Sequence, residues 1–190
     1  MSAPAVTGVI LAGGRGRRMG QVDKGWVELD GRPLVERVLE RFAPQVGQVL
    51  ISANRNRERY AVLGHEVIGD LMPDHAGPLA GLHAAFAHAR HDLIATVPCD
   101  SPWLPLDLVE RLRIALERSS AQIAVAHSGG RLHPVFLLCR KTVAGQLEAY
   151  LASGARRAED WCATLPCAQA DFDDQPEAFR NVNTPADLDR

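Results

Sequence analysis

The chain has 190 residues, 46% of them apolar, which is enough to bury a core as one domain without disulfide or metal staples. A formal net charge of -2 argues against unspecific nucleic-acid or membrane binding, which draws on basic character spread over a whole domain. No apolar run approaches the ~20 residues that span a bilayer, and Cys99, Cys139, Cys162 and Cys167 lack C-x-x-C or cysteine–histidine zinc spacing, so buried free thiols in a reducing cytoplasm are expected.

Residues 7–11 are rich in β-formers and predict a first strand. It empties into Leu11-Ala12-Gly13-Gly14-Arg15-Gly16-Arg17-Arg18-Met19-Gly20-Gln21-Val22-Asp23-Lys24, with four glycines within eight residues. Glycines let backbone N–H groups converge on phosphate oxygens, and Arg15, Arg17, Arg18 and Lys24 add charge at the same place. The stretch reads as a polyphosphate cradle. Residues 25–33 predict a short extended segment and an Asp30-Gly31 turn, after which Pro33 opens a helix with Leu34, Val35, Val38, Leu39 and Phe42 on one face and Pro44 at its close. A buried strand over 48–52, a short helix over 58–63 and a brief strand at 67–68 running into Gly69-Asp70 continue the alternation. A loop over 73–81 precedes an alanine-rich helix marked by Leu82, Phe86 and Ala89 that ends near Arg90.

Residues 93–97 predict a central strand that terminates in Pro98-Cys99-Asp100-Ser101-Pro102. Pro105 begins a helix with Leu108, Leu112, Ala115 and Leu116 inward, followed by a strand over 122–125. Ser128-Gly129-Gly130 suggests a tight hairpin, and His133-Pro134 precedes a strand over 135–139. A helix over 141–151, a short one over 159–163 and a strand over 168–172 complete the body. Asn183 or Thr184 would cap a final short helix starting at Pro185.

Strands alternating with helices imply a three-layer, Rossmann-like α/β fold. Its sheet is mostly parallel, with some antiparallel strands in the second half. In such sheets ligands bind beyond the carboxyl ends of the strands, so the Leu11 loop, Asp70 and Asp100 are expected to face one crevice. The glycine loop is not a Walker A motif, because Asp23 precedes Lys24 and no hydroxyl follows it. Nor is it a dinucleotide fingerprint, because Met19 stands at the third glycine position and strand two ends without an acidic ribose ligand. Asp100 reads either as a helix cap or as a carboxylate that holds Mg²⁺ alongside phosphate oxygens. His65, His83, His88, His91 and His127 are scattered, and no Ser-His-Asp constellation emerges.

Leu11-Ala12-Gly13-Gly14-x-Gly16-x-Arg18-Met19-Gly20 followed by Asp23-Lys24 resembles the signature of sugar-nucleotide pyrophosphorylase-like nucleotidyltransferases. Val22-Asp23-Lys24-Gly25, Gly77-Pro78-Leu79-Ala80-Gly81, Pro98-Cys99-Asp100-Ser101-Pro102, His133-Pro134-Val135 and Asn181-Val182-Asn183-Thr184-Pro185 are similar, in order, to motifs of the molybdenum cofactor guanylyltransferases. The resemblance runs from Gly8 to Leu188. It implies a nucleotide-diphospho-sugar-transferase-like fold in a single domain over 1–190, with a GTP-binding half to about 105 and a pterin-binding half beyond. It also implies transfer of GMP from GTP to molybdopterin with release of pyrophosphate, and Mg²⁺ as cofactor. Leu11, Ala12, Gly13, Gly14, Ser52, Asp70 and Gly81 would contact the nucleotide and Lys24 its phosphates; Asp100 would hold the metal, and Arg15 and Arg18 would assist. His133, Asn181 and Asn183 would meet the pterin, with Arg156 or Arg157 at its phosphate. Where the family places an asparagine at the end of strand two, this chain has Ser52, with Asn54 two residues on. A cytoplasmic monomer is expected, transiently meeting molybdenum-insertion proteins and molybdoenzymes or their chaperones. The rivals are a cytidylyltransferase on the same pterin, a sugar-phosphate nucleotidyltransferase, and a nucleotide sensor or cofactor carrier on the same fold.

Overall fold

The short apolar runs form strands and the amphipathic segments form crossovers, giving one seven-stranded sheet in the order β5-β4-β1-β6-β8-β7-β9. The computed structural model describes residues 5–13, 23–71, 77–182 and 187. Gly14, Arg15, Arg18 and Asn183, together with the expected final helix, lie outside the described residues. The strands are β1 (Val6–Leu11), β4 (Gln48–Ser52), β5 (Glu66–Ile68), β6 (Leu93–Pro98), β7 (Ile123–Ser128), β8 (Arg131–Arg140) and β9 (Cys167–Asp171), while β2 (Glu28–Leu29) and β3 (Arg32–Pro33) make a separate two-stranded flap. Strands β5, β4, β1 and β6 run parallel; β8 is antiparallel to both β6 and β7, and β9 is again parallel to β7. The later hairpin therefore brings the antiparallel character, as its glycines suggested. Gly129 and Gly130 take φ of 57° and 71°, a left-handed pair that suits a two-residue hairpin turn.

Helices α1 (Leu34–Phe42), α2 (Arg57–Ala61) and α4 (Leu108–Glu117) cover one face, where Val38 and Phe42, Tyr60 and Leu112 are buried. Helices α3 (Pro78–His88), α5 (Ala144–Ala152) and α6 (Ala158–Ala163) cover the other with Leu82, Leu147 and Trp161. Each such side chain removed from water contributes about 1.5–3 kcal/mol before entropy is counted, and the two faces together give the three layers. Among the described residues no helix is long and apolar enough to cross a membrane.

Several boundaries differ from the sequence expectation by a few residues, and three of them have a clear local reason. Helix α3 starts at Pro78, not after Gly81, because proline at the first helical turn lacks only an N–H that would have no helical partner there. Helix α4 starts at Leu108, not Pro105. The carbonyls of Leu104 and Pro105, which would accept the first helical bonds, are engaged by Arg41 Nε of α1 at 2.7 Å and by Gln45 Nε2, just beyond α1, at 2.9 Å. His133-Pro134 lies inside β8 at a break in the ladder, where pairing jumps from Val125↔Leu137 to Ala126↔His133; a proline without an N–H is tolerated at such a bulge. Of the four thiols, Cys99, Cys139 and Cys162 are buried and Cys167 is exposed, in part against expectation.

Candidate active site

Register brings the functional side chains together. Leu11 pairs with Ser52 and with Pro98, and Ser52 pairs with Ile68, so the carboxyl ends of the four parallel strands are flush. The ladder continues one residue further through Ala12 N to Ser52 O (2.8 Å), Ala53 N to Ile68 O (2.9 Å) and Cys99 N to Leu11 O (3.1 Å). Two residues beyond each strand end stand Gly13, Asn54, Asp70 and Asp100 in turn. Gly13, Asp70 and Asp100 stand at one edge, as expected; the rest of the Leu11 loop, to residue 22, lies outside the described residues.

Asp100 is 7% exposed, and Lys24 Nζ donates to its Oδ2 at 3.0 Å. A carboxylate this buried needs a compensating cation, and Lys24 supplies it. The capping reading of Asp100 has no helix to cap, since Asp107 occupies the N-cap of α4. Lys24 opens a single 3₁₀ turn, Lys24–Trp26, whose N-cap Asp23 accepts from Gly25 N at 3.3 Å, from Asn56 Nδ2 at 2.9 Å and from the Tyr60 hydroxyl at 2.5 Å. Tyr60 is fully buried, and burial, reinforced by the neighbouring Cys99 and Asp23, pushes its hydroxyl pKa well up, so it remains a donor. Burial beside Asp100 likewise pushes the Cys99 thiol up, which keeps it protonated and inert.

On the opposite side of β1, Asn54 Nδ2 donates to Asp70 Oδ2 at 2.7 Å while Asp70 N donates to Asn54 Oδ1 at 2.9 Å. A Cβ on Gly13 would lie 3.4 Å from that amide, so Gly13, Asn54 and Asp70 share one rim. Ser52 is 2% exposed, and its hydroxyl lies where a Cβ on Gly81 would come within 2.5 Å; Leu11 Cδ2 would be 2.7 Å from the same position. Leu11, Ser52 and Gly81 thus form the tightly packed floor and Asn54 reaches the rim. Sequence reasoning noticed Asn54 but did not count it as a site residue. Its position two residues beyond a parallel strand, matching Asp70 and Asp100, was the available signal. Asp23 and Tyr60 were missed as well.

In the second half, Asn181 Oδ1 accepts from Ser101 Oγ at 2.6 Å and Val182 N donates to Asp100 O at 2.8 Å, which lays residues 181–182 beside the Asp100 segment. His133 stacks on Phe179 at 4.5 Å and its Nε2 lies 2.8 Å from Ser128 Oγ; burial, with Arg131 and His127 adding to it, lowers its pKa. His133 therefore joins the 179–182 strip leading to Asp100. Arg156 donates to the carbonyls of Leu151 (2.8 Å) and Ala155 (2.6 Å), while Arg157 is exposed. His127, read as isolated, instead gathers with Asp171 and Asp173. Those carboxylates accept from Asp173 N at 2.9 Å and Gly129 N at 2.7 Å and tie the hairpin to β9.

A family model described as the MobA-like NTP transferase domain matches residues 8–169. The chain is 46% identical over 183 residues to the molybdenum cofactor guanylyltransferase of Shewanella loihica, covering 96% of this chain and 93% of that protein. It belongs to the MobA-like molybdenum cofactor guanylyltransferases. The corresponding protein of Shewanella putrefaciens is 48% identical over 179 residues, covering 94% of this chain and 92% of the relative. The crystal structure of molybdopterin-guanine dinucleotide biosynthesis protein A from Archaeoglobus fulgidus superposes with a TM-score of 0.79 at 26% identity, covering 96% of this chain and 95% of the other. The chain is accordingly a nucleotidyltransferase, and the fold is that of the nucleotide-diphospho-sugar transferases.

Proposed function

We propose that GMP passes from GTP to molybdopterin at the Lys24–Asp100 centre, with the nucleotide over the first four parallel strand ends and the pterin over the 179–182 strip. The observation that carries this reading is the pair of the part-buried Lys24 and the buried Asp100, 3.0 Å apart at the meeting of the two halves. Leu11, Ala12, Gly13 and Gly14 cradle the nucleotide, Asn54 and Asp70 hold its sugar and base side, and Gly81, by lacking a Cβ, lets α3 pack closely on Leu11 and Ser52 in the floor. Residues to about 105 serve GTP, and later ones, with His133, Asn181 and Asn183, serve the pterin.

A buried carboxylate with a hard oxygen facing a polyphosphate suits Mg²⁺, which binds through one or two carboxylates and substrate phosphates. Asp100 would hold the ion, which when bound would supply neutralisation of charge on the pyrophosphate leaving group. The chain's own groups do the rest. The attacking group is the phosphate monoester of molybdopterin, ionised at neutral pH because its second pKa lies near ~6, so no general base is needed. Its oxygen bonds to the α-phosphorus of GTP as the bridge to the β-phosphate breaks. Lys24, Arg15 and Arg18 hold the α- and β-phosphates in line and offset their charge.

Titration calorimetry of GTP, with and without MgCl₂, tests the assignment. Lys24→Ala is expected to weaken GTP by about 10-fold or more, and Asp100→Asn to abolish the gain from MgCl₂. Wild-type binding in both folded variants would refute these roles.

A further inference from the structure

Asp23 has no phosphate-binding duty of its own in this reading, yet its carboxylate collects donors from Tyr60, Asn56 and the Gly25 backbone. Two of these are arranged at a cost. Tyr60 is fully buried, and its hydroxyl leaves no room for a side chain at residue 25, where a Cβ would lie 2.5 Å from Oη. Asn56 stands at the N-cap of α2 in the left-handed region (φ 50°, ψ 31°), and its amide, instead of capping its own helix, crosses to Asp23. The far end of the Lys24–Trp26 turn is held by Trp26 against Tyr60 at 5.3 Å, with the Arg59 guanidinium 4.1 Å over the indole. Lys24 is thus flanked on both sides by residues pinned to α2, and its ammonium meets Asp100.

We infer that Tyr60, together with Asn56, is a positioning element of the transferase: through Asp23 it fixes the backbone that aims Lys24 at the reacting phosphates. The inference rests on the reading of Lys24 as a phosphate-binding group. Without the clamp the lysine has the same chemistry but a wider range of orientations, so transition-state alignment suffers while the fold persists.

A double-mutant cycle on kcat/KM for GTP, with molybdopterin saturating, separates positioning from mere structure. Tyr60→Phe, which removes one oxygen, is expected to lower kcat/KM about 10-fold in the wild-type background and less than about 2-fold in a Lys24→Ala background. Asn56→Gly, which tolerates the left-handed backbone and deletes the side chain with its amide, is expected to follow the same pattern with a smaller loss. Equal fold-losses in both backgrounds would overturn the inference and leave the lysine's role standing. A Lys24→Ala variant as active as wild type would overturn the lysine reading, and this inference with it.

Discussion

At the scale of single residues, the site depends on groups that look ordinary in a linear reading. Gly25 is a case where sterics decide: an added methyl would meet Tyr60 Oη at 2.5 Å and the ring carbons Cε1 and Cζ at 3.3 Å. Gly25→Ala is therefore expected to cost about 1–3 kcal/mol of stability by denaturant titration, through overpacking. In a Tyr60→Phe background the closest contact is gone and only the 3.3 Å contacts remain. Ala also restricts the unfolded chain by about 0.4–1 kcal/mol relative to Gly, so most of the penalty should vanish there. Additive costs in the double variant would show that the clash lies elsewhere. Lys24 and Asp100 were legible as candidates from strand-end position and charge; Tyr60 was not, because a buried tyrosine on a short helix signals only core until its hydroxyl is seen on Asp23.

At the scale of elements, hydrophobic periodicity located nearly every strand and helix, and tertiary bonds shifted their ends. The late start of α4 is one example, since Arg41 of α1 and Gln45 just beyond it engage the carbonyls that would have nucleated an earlier turn. Inclusion of Gly81 in α3 is another. Its intrinsic helix cost of about 1 kcal/mol is outweighed by the close approach it permits to Ser52 and Leu11. The same helix α4 is fastened to the end of β9 by Arg111, which reaches Asp174 with two bonds of 2.7 Å each, Asp107 at 2.7 Å and the Asp171 carbonyl at 3.1 Å. The Arg111 hydrogen bonds hold the Asp174 carboxyl down at about 2, from an ordinary value of 3.8. A carboxylate whose pKa is lowered on folding stabilises fully above the unfolded value, and that contribution is lost as pH falls through the folded one. Acid unfolding of wild type should thus steepen between about pH 4 and pH 2 relative to Asp174→Asn, and the difference should shrink in high salt because the pair is exposed. Parallel acid-unfolding curves for the two proteins would remove the clamp from the account.

At the scale of the whole molecule, the proposed site lies along one edge of one sheet. Four parallel strands end in register and each places its contribution two residues later, while the antiparallel β8 and the returning 172–182 segment bring the second half up to Asp100. The alternation of strands and helices made the parallel half legible in the sequence, and the Gly-Gly turn announced the hairpin. The position of β8 between β6 and β7 was not legible, because pairing order depends on contacts far apart in the chain. Base choice was equally hidden from physical reading. It came from motif resemblance, and the relatives carry the guanylyltransferase name. The measurement that tests the central claim most directly is pyrophosphate release with Mg²⁺, molybdopterin and each of the four nucleoside triphosphates in turn, run beside Asp100→Asn. The account predicts release with GTP that requires molybdopterin and falls by about 10²–10³ in Asp100→Asn; a preference for CTP, release without the pterin, or an unaffected variant would contradict it.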